Sequence, residues 1–304
     1  MAATEPTPRI RRRPLRAVTD LLRDVARRPS GLVALVIIAG LAVAVTVGPL
    51  LVADPAAQDI PRRLEGPSTD HWLGTDHLGR DLLARLVSGA RIAVGVAVPS
   101  VLLAMLLGLL LGLAAGYIGG RVDNMVIVLT DSIQAFPAVV LGLAVLALLG
   151  SSLPNVVMVI ALSFAPGYAR VVRAQVLALK EEEFIQAERS LGSSTPRILR
   201  LHLLPNVLAP MLILMAIDLP VAVTIEAGLS FVGVGVPPPV PSWGVILNQG
   251  FDRIREAPWP VIWAALTLMV TTLGFTLFGE ALRERLDPRI REVARRGGGG
   301  QGQS

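Results

Sequence analysis

The chain has no cysteine, which excludes disulfides, thiolate metal sites and cysteine nucleophiles. Lysine is almost missing as well: Lys180 is the single one among 28 basic residues, and Leu179 precedes it. A phosphate-binding P-loop needs a lysine directly after a glycine to reach the β- and γ-phosphates. This chain therefore does not hydrolyse ATP through such a loop. The three histidines, His71, His77 and His202, fall outside the long apolar stretches or at their edge. An intramembrane serine hydrolase would lack the base that activates its nucleophile. Charge is thin overall, at 17% of residues, where a soluble domain carries about 25%.

What the chain has in quantity is apolar surface: 53% of its 304 residues are hydrophobic and the mean hydropathy is +0.62. One soluble core cannot hide that much, so lipid is the bulk solvent. The net charge of +5 is no nucleic-acid signal, because the basic residues sit at helix ends and in both tails, as in membrane proteins. The first 28 residues are basic and polar, and the apolar run after them is too long for a signal-peptide core, so it reads as an uncleaved span.

A span takes about 20 mainly apolar residues. Six stretches qualify: Gly31–Val52, Ile92–Gly120, Asn124–Gly150, Asn155–Ala178, Leu204–Val232 and Trp259–Gly279. Gly150-Ser-Ser-Leu-Pro154 reads as a tight turn between the third and fourth. With the N-terminus inside, the inner segments hold 21 Lys and Arg and the outer ones seven, which predicts an N-in, C-in topology. The expected organisation is a basic inner segment over 1–30, a six-span body over 31–290 and a flexible tail over 291–304. The body carries outer loops at 53–91 and 233–258 and an inner loop at 181–205.

Gly108, Gly112 and Gly116, with Gly120 next in the series, recur every four residues on one ridge of the second span. Small residues let backbones approach closely in lipid, so this ridge is expected to face another helix. Acids inside spans are costly and need a reason. Asp131, shortly before Phe136-Pro137, either lines a pathway or gate or pairs with Arg170 or Arg173. Pro137 removes a backbone donor and is expected to kink the third span. Asp218 and Glu226 in the fifth span either contact solute or pack against a partner subunit. Outside, Asp70-His71 and Asp76-His77 contain metal-ligand chemistry, but one loop offers no spacing that converges them, and no metal site is expected. Gly233-Val-Gly235 leads into proline-rich sequence and is no dinucleotide fingerprint.

The inner loop has helical punctuation. Three acids, Glu181 to Glu183, suit a helix N-terminus, and Phe184, Ala187 and Leu191 share a face of a helix over Glu181–Leu191 that Gly192 stops. Thr195 as N-cap and Pro196 at the first helical position start a second helix running to Leu204. Such a helix-turn-helix can rest on lipid as an amphipathic connector, although its acids suit a protein partner better.

Gln186-Ala187-Glu188, Gly192 and Leu203-Leu204-Pro205 resemble the EAA loop of binding-protein-dependent ABC importer permeases, with Gln186, Glu188 and His202 departing from the usual residues. His71-Trp-Leu-Gly-Thr-Asp-His-Leu-Gly-Arg-Asp81, Glu226-Ala-Gly-Leu-Ser-Phe-Val-Gly-Val-Gly235, Pro241-Ser-Trp-Gly244 and Leu286-Asp-Pro-Arg289 resemble the C-type permease of the dipeptide, oligopeptide and nickel branch. Residues 20–291 carry the likeness. It implies an all-α type I permease fold in the inner membrane. It also implies coupling helices, with Phe184, Gln186, Ala187, Glu188, Leu191, Gly192, Leu204 and Pro205, docked in a groove of an ATPase subunit. The implied partners are a homologous second permease, two ABC ATPases and an extracytoplasmic solute-binding protein. No cofactor is expected on this chain, ATP and Mg belonging to the ATPases. Di- or oligopeptide is the expected solute and nickel or glutathione the alternatives. A stand-alone secondary transporter or channel is disfavoured by the lack of an inverted repeat or an array of buried acids.

Overall fold

The computed structural model describes residues 23–286, and among them the fold is all-helical, with no strand beyond one isolated bridge between Thr75 and Asp81. The basic segment before residue 23, the tail over 291–304 and the Asp287–Arg289 part of the last motif lie outside the described residues. In chain order the α-helices are α1 (Pro29–Thr46), α2 (Gly48–Leu51), α3 (Leu82–Ile118), α4 (Gly120–Gln134), α5 (Ala138–Leu149), α6 (Leu153–Leu179), α7 (Glu183–Ser190), α8 (Thr195–Ile198), α9 (Leu204–Phe231), α10 (Trp243–Phe251) and α11 (Trp259–Leu286). Among the described residues, five helical stretches are long and apolar enough to cross a membrane, and the bent pair α4–α5 brings the number to six when it is taken as one span.

That pair corrects the expectation of a single kinked third span. α4 and α5 meet at 90°. Pro137 stands as N-cap of α5 with extended backbone and no N–H to continue the ladder, so α4 ends at Gln134 and the chain turns sharply. Two arginines of α6 hold α4 in place. Arg173 donates to both carboxylate oxygens of Asp123 (2.5 and 2.7 Å), and Arg170 donates to Asp131 (3.1 Å) and Gln134 (2.6 Å). The turn from α5 into α6 forms where the sequence places it. Gly150 takes a φ of +83°, a region open to glycine, and Asn155 donates to the carbonyls of Leu149 and Gly150.

α3 is the beam of the molecule. Its 37 residues span about 55 Å at 1.5 Å per residue, longer than a hydrocarbon core of about 30 Å is thick. Asp81 caps its start, accepting from Ala84 N at 2.8 Å, and Gly119 at φ +72° releases the chain at its end. Its middle packs on α6 along the glycine ridge. A Cβ at Gly108 would stand 2.8 Å from the Ala165 carbonyl, one at Gly112 2.6 Å from the Ala169 carbonyl, and one at Gly116 2.8 Å from Val176 Cβ. Gly120 is not part of that ridge. It adopts φ +57° in open space and serves the turn into α4.

Candidate functional site

At the inner end, α7 is shorter than its sequence pattern, Glu183–Ser190. A single residue roots it: Ile185 is fully buried, joining the core with Ile198 and Leu203. Phe184, Ala187 and Leu191 are exposed, Leu191 at 84% and Phe184 at 45%. The apolar face read from the sequence is thus turned outward. Burying an exposed leucine or phenylalanine is worth about 1.5–3 kcal/mol, and α7 leaves that free energy unused in the chain itself.

The loop holds its shape through polar contacts. The Ser193 hydroxyl donates to Glu188, and His202 lies 3.7 Å from the same carboxylate. The Ser193 contact first, then the charges of His202 and Arg197, keep Glu188 below the usual carboxylate range, so it is ionised at neutral pH. Phe184 stacks at a tilt on His202, with centroids 5.7 Å apart, and the Gln186 side chain donates to the Glu181 carbonyl at 3.0 Å. Gly192 sits at φ +78° with open space around it, a conformation that only glycine adopts without strain.

The second half of the loop differs from the sequence reading. Ser194, not Thr195, occupies the N-cap, and Pro196 takes the first turn of α8. α8 runs through a π turn, Leu199–Leu203, into α9, so Leu204 and Pro205 open a continuous rod that ends at Phe231. The Thr195 side chain is free for another contact, accepting from the Tyr117 hydroxyl at 3.2 Å. Arg189 lies over the Tyr117 ring, 5.5 Å from its centroid, and Lys180 Nζ donates to the Gly116 carbonyl at 3.4 Å. These three contacts fasten the loop to the inner end of α3. Nothing in the local pattern around Tyr117 announced them.

The candidate pathway residues do not converge. Asp131 pairs with Arg170 on an open surface, where each side chain is about 60% exposed (58% and 62%), and Phe136 beside it is exposed. Asp218 is half-buried next to the buried hydroxyl of Tyr168 of α6. Glu226 is fully buried in the chain's own core and accepts from the Ser230 hydroxyl at 2.8 Å. Ser230 Oγ in turn accepts from Val236 N, so this carboxyl braces the turn after α9 and does not face open space.

At the outer end, the 233–258 segment is more than a loop. α10 folds back into the body, and fully buried Trp243 donates from its ring nitrogen to the Leu86 carbonyl at 2.9 Å. The two Asp-His pairs have other partners: His71 Nδ1 meets Asp81 at 2.9 Å, Asp70 pairs with Arg62, and Asp76 with Arg80. Among the described residues no three His, Asp or Glu side chains converge on a metal position.

Residues 108–292 match the family described as binding-protein-dependent transport system inner membrane component. Over 273 residues the chain is 36% identical to the dipeptide transport system permease protein of Alkalihalophilus pseudofirmus, covering 90% of each chain. It is 40% identical to the nickel transport system permease protein of Escherichia coli over 258 residues, 84% of this chain and 93% of that one. The glutathione transport system permease protein of Pectobacterium atrosepticum shares 37% over 233 residues, 77% of each. Among solved structures, an inward-facing MetNI methionine ABC transporter superposes with a TM-score of 0.54 at 20% identity, over 67% of this chain and 96% of that one. This last likeness concerns the fold.

Proposed function

The chain belongs to the binding-protein-dependent transport system inner membrane components, and from that premise we propose that it forms half of a peptide import path driven by ATPases on separate subunits. It is an inner-membrane ABC importer permease of the dipeptide, nickel and glutathione branch. A di- or oligopeptide is the solute we assign, supported by the dipeptide permease that aligns over 90% of the chain. The nickel and glutathione relatives carry the alternative. In this reading the chain itself takes no catalytic step and carries no cofactor: its single lysine follows a leucine, so it has no P-loop, and ATP with Mg belongs to the two ATPase subunits.

The observation that carries this reading is the outward apolar face of α7 on a loop tied to the end of α3. An ATPase subunit grips Phe184, Ala187 and Leu191, with Gln186 and Glu188 beside them. Its closure on ATP moves the loop, and the contacts at Tyr117 and Gly116 pass the displacement to the α3–α6 pair. Leu204 and Pro205 pass it to α9 in the same stroke. On the other flank, the exposed Asp131, Phe136 and Pro137 face the homologous second permease across the path, and Asp218 packs at the α6–α9 contact. The 233–258 segment receives the solute-binding protein from outside.

The test is uptake by proteoliposomes holding this chain with its second permease, ATPases and binding protein. Labelled dipeptide accumulates only with ATP, and Phe184→Asp abolishes accumulation while the chain stays in the membrane. Unchanged uptake in that variant refutes docking through α7. ATP-driven uptake of nickel or glutathione, with none of dipeptide, refutes the solute assignment alone.

A further inference from the structure

The outer end of α3 holds more positive charge than its neighbours neutralise. Asp76 is 4% exposed and accepts three hydrogen bonds. Its Oδ1 accepts from the backbone N–H groups of Leu78 and Arg80 at 2.8 and 3.0 Å, and its Oδ2 accepts from Arg80 Nε at 2.7 Å. Arg85 is 1% exposed. Its Nη2 shares the Gln249 side-chain oxygen with Arg80 Nη2, both at 3.1 Å, and its Nε stands 3.3 Å from Asp76 Oδ2 outside hydrogen-bond geometry. Arg85 Nη1 has no hydrogen-bond partner among the described residues. Two buried guanidinium groups thus share one carboxylate, and an uncompensated buried charge is costly.

Arg85 lines a cavity of about 10 Å³ together with Asp76, His77, Gln249 and Arg253. That volume suits one particle about the size of a water molecule. Its walls present spare donors and few spare acceptors: the Asp76 oxygens and the Gln249 oxygen are already engaged. A water there accepts from Arg85 but finds few acceptors for its own protons among side chains already engaged. A halide accepts every donor and gives none, and it restores charge balance. Arg253, at the rim, is half-exposed and only loosely paired with Glu256, at 3.8 Å. It offers a second cation to the same particle.

We propose that this cavity binds one small monovalent anion, which completes the Asp76–Arg80–Arg85–Gln249 cluster and locks α3 to α10. Chloride is the probe. The experiment follows thermal unfolding of the purified full chain in detergent while gluconate is replaced by chloride or bromide at constant ionic strength. The midpoint is expected to rise and saturate with chloride and bromide alike. In Arg253→Gln, loss of one charge-assisted contact is expected to move half-saturation to about tenfold higher chloride. Arg85→Gln is expected to lose the response. Should that variant fail to fold, a crystal of the unaltered chain in bromide decides, with an anomalous peak expected against Arg85 Nη1. Equal midpoints in gluconate and chloride, an identical chloride response in Arg253→Gln, or a water in place of bromide would each overturn the proposal.

Discussion

The two ends of α3 are built on opposite principles. At the outer end, Asp81 caps the helix, Arg85 is buried on its first turn, and Trp243 and Gln249 reach in from α10. Trp259 of α11 adds a bond from its ring nitrogen to the Thr75 carbonyl at 3.1 Å. At the inner end, a hydroxyl on Thr195, an arginine over the Tyr117 ring and a long lysine bond are the ties, and the loop they hold shows its apolar residues to solvent. Buried polar clusters are rigid and intolerant of loss, whereas solvated contacts are weak and adjustable. One end is an anchor and the other a handle.

The largest effect is expected where the anchor is cut. Asp76→Ala leaves two buried arginines without their carboxylate, a loss of about 3–5 kcal/mol. Denaturant unfolding of the purified chain should show it, and a cost no greater than that of a surface change would mean that the outer cluster is not an anchor. Gly112→Val attacks the beam between the ends. Its side chain meets the Ala169 carbonyl and Val172 Cβ, both at 2.6 Å, and overpacking of this kind costs about 1–3 kcal/mol. Stability and transport should fall together in that variant. Tyr117→Phe keeps the ring beneath Arg189 but deletes the bond to Thr195, worth about 0.5–1.5 kcal/mol. Faster hydrogen exchange confined to residues 183–203 is the expected sign, and faster exchange in α10 as well would break the distinction between the ends.

Much of this was readable from the residues alone. Apolar length gives the long apolar segments, though not the 90° break at Pro137, and the four-residue glycine period gives a packing ridge at Gly108, Gly112 and Gly116, though not α6 as its neighbour. The position of Gly192 gives the break in the inner loop, whose φ of +78° demands that residue type. What stayed hidden depends on partners far along the chain. Gln249 bonds to Arg80 and Arg85 across 169 and 164 residues, and no local period encodes that. α10 was concealed by the prolines and glycines around it, which read as loop although Ser242 caps a helix and Trp243 is buried. At Asp131 the pattern allowed a lining residue or an ion pair, and only the placement of α6 puts Arg170 beside it. Ser194 rather than Thr195 as cap is a one-residue difference, yet it frees the threonine hydroxyl for Tyr117.

The cysteine-free chain permits a direct test of the central claim, that α7 is a handle for an ATPase while the outer end stays apart from it. Single cysteines are placed at Leu191, 84% exposed on the handle, and at Trp72, 71% exposed on the outer loop. Neither change touches the core, so stability should stay within about 0.5 kcal/mol. Labelling by a thiol reagent is then measured in detergent with and without the ATPase subunits. The account predicts that Leu191→Cys is protected when the ATPases are bound and Trp72→Cys is labelled at the same rate in both states. Undiminished labelling at position 191 in the assembled complex would contradict it.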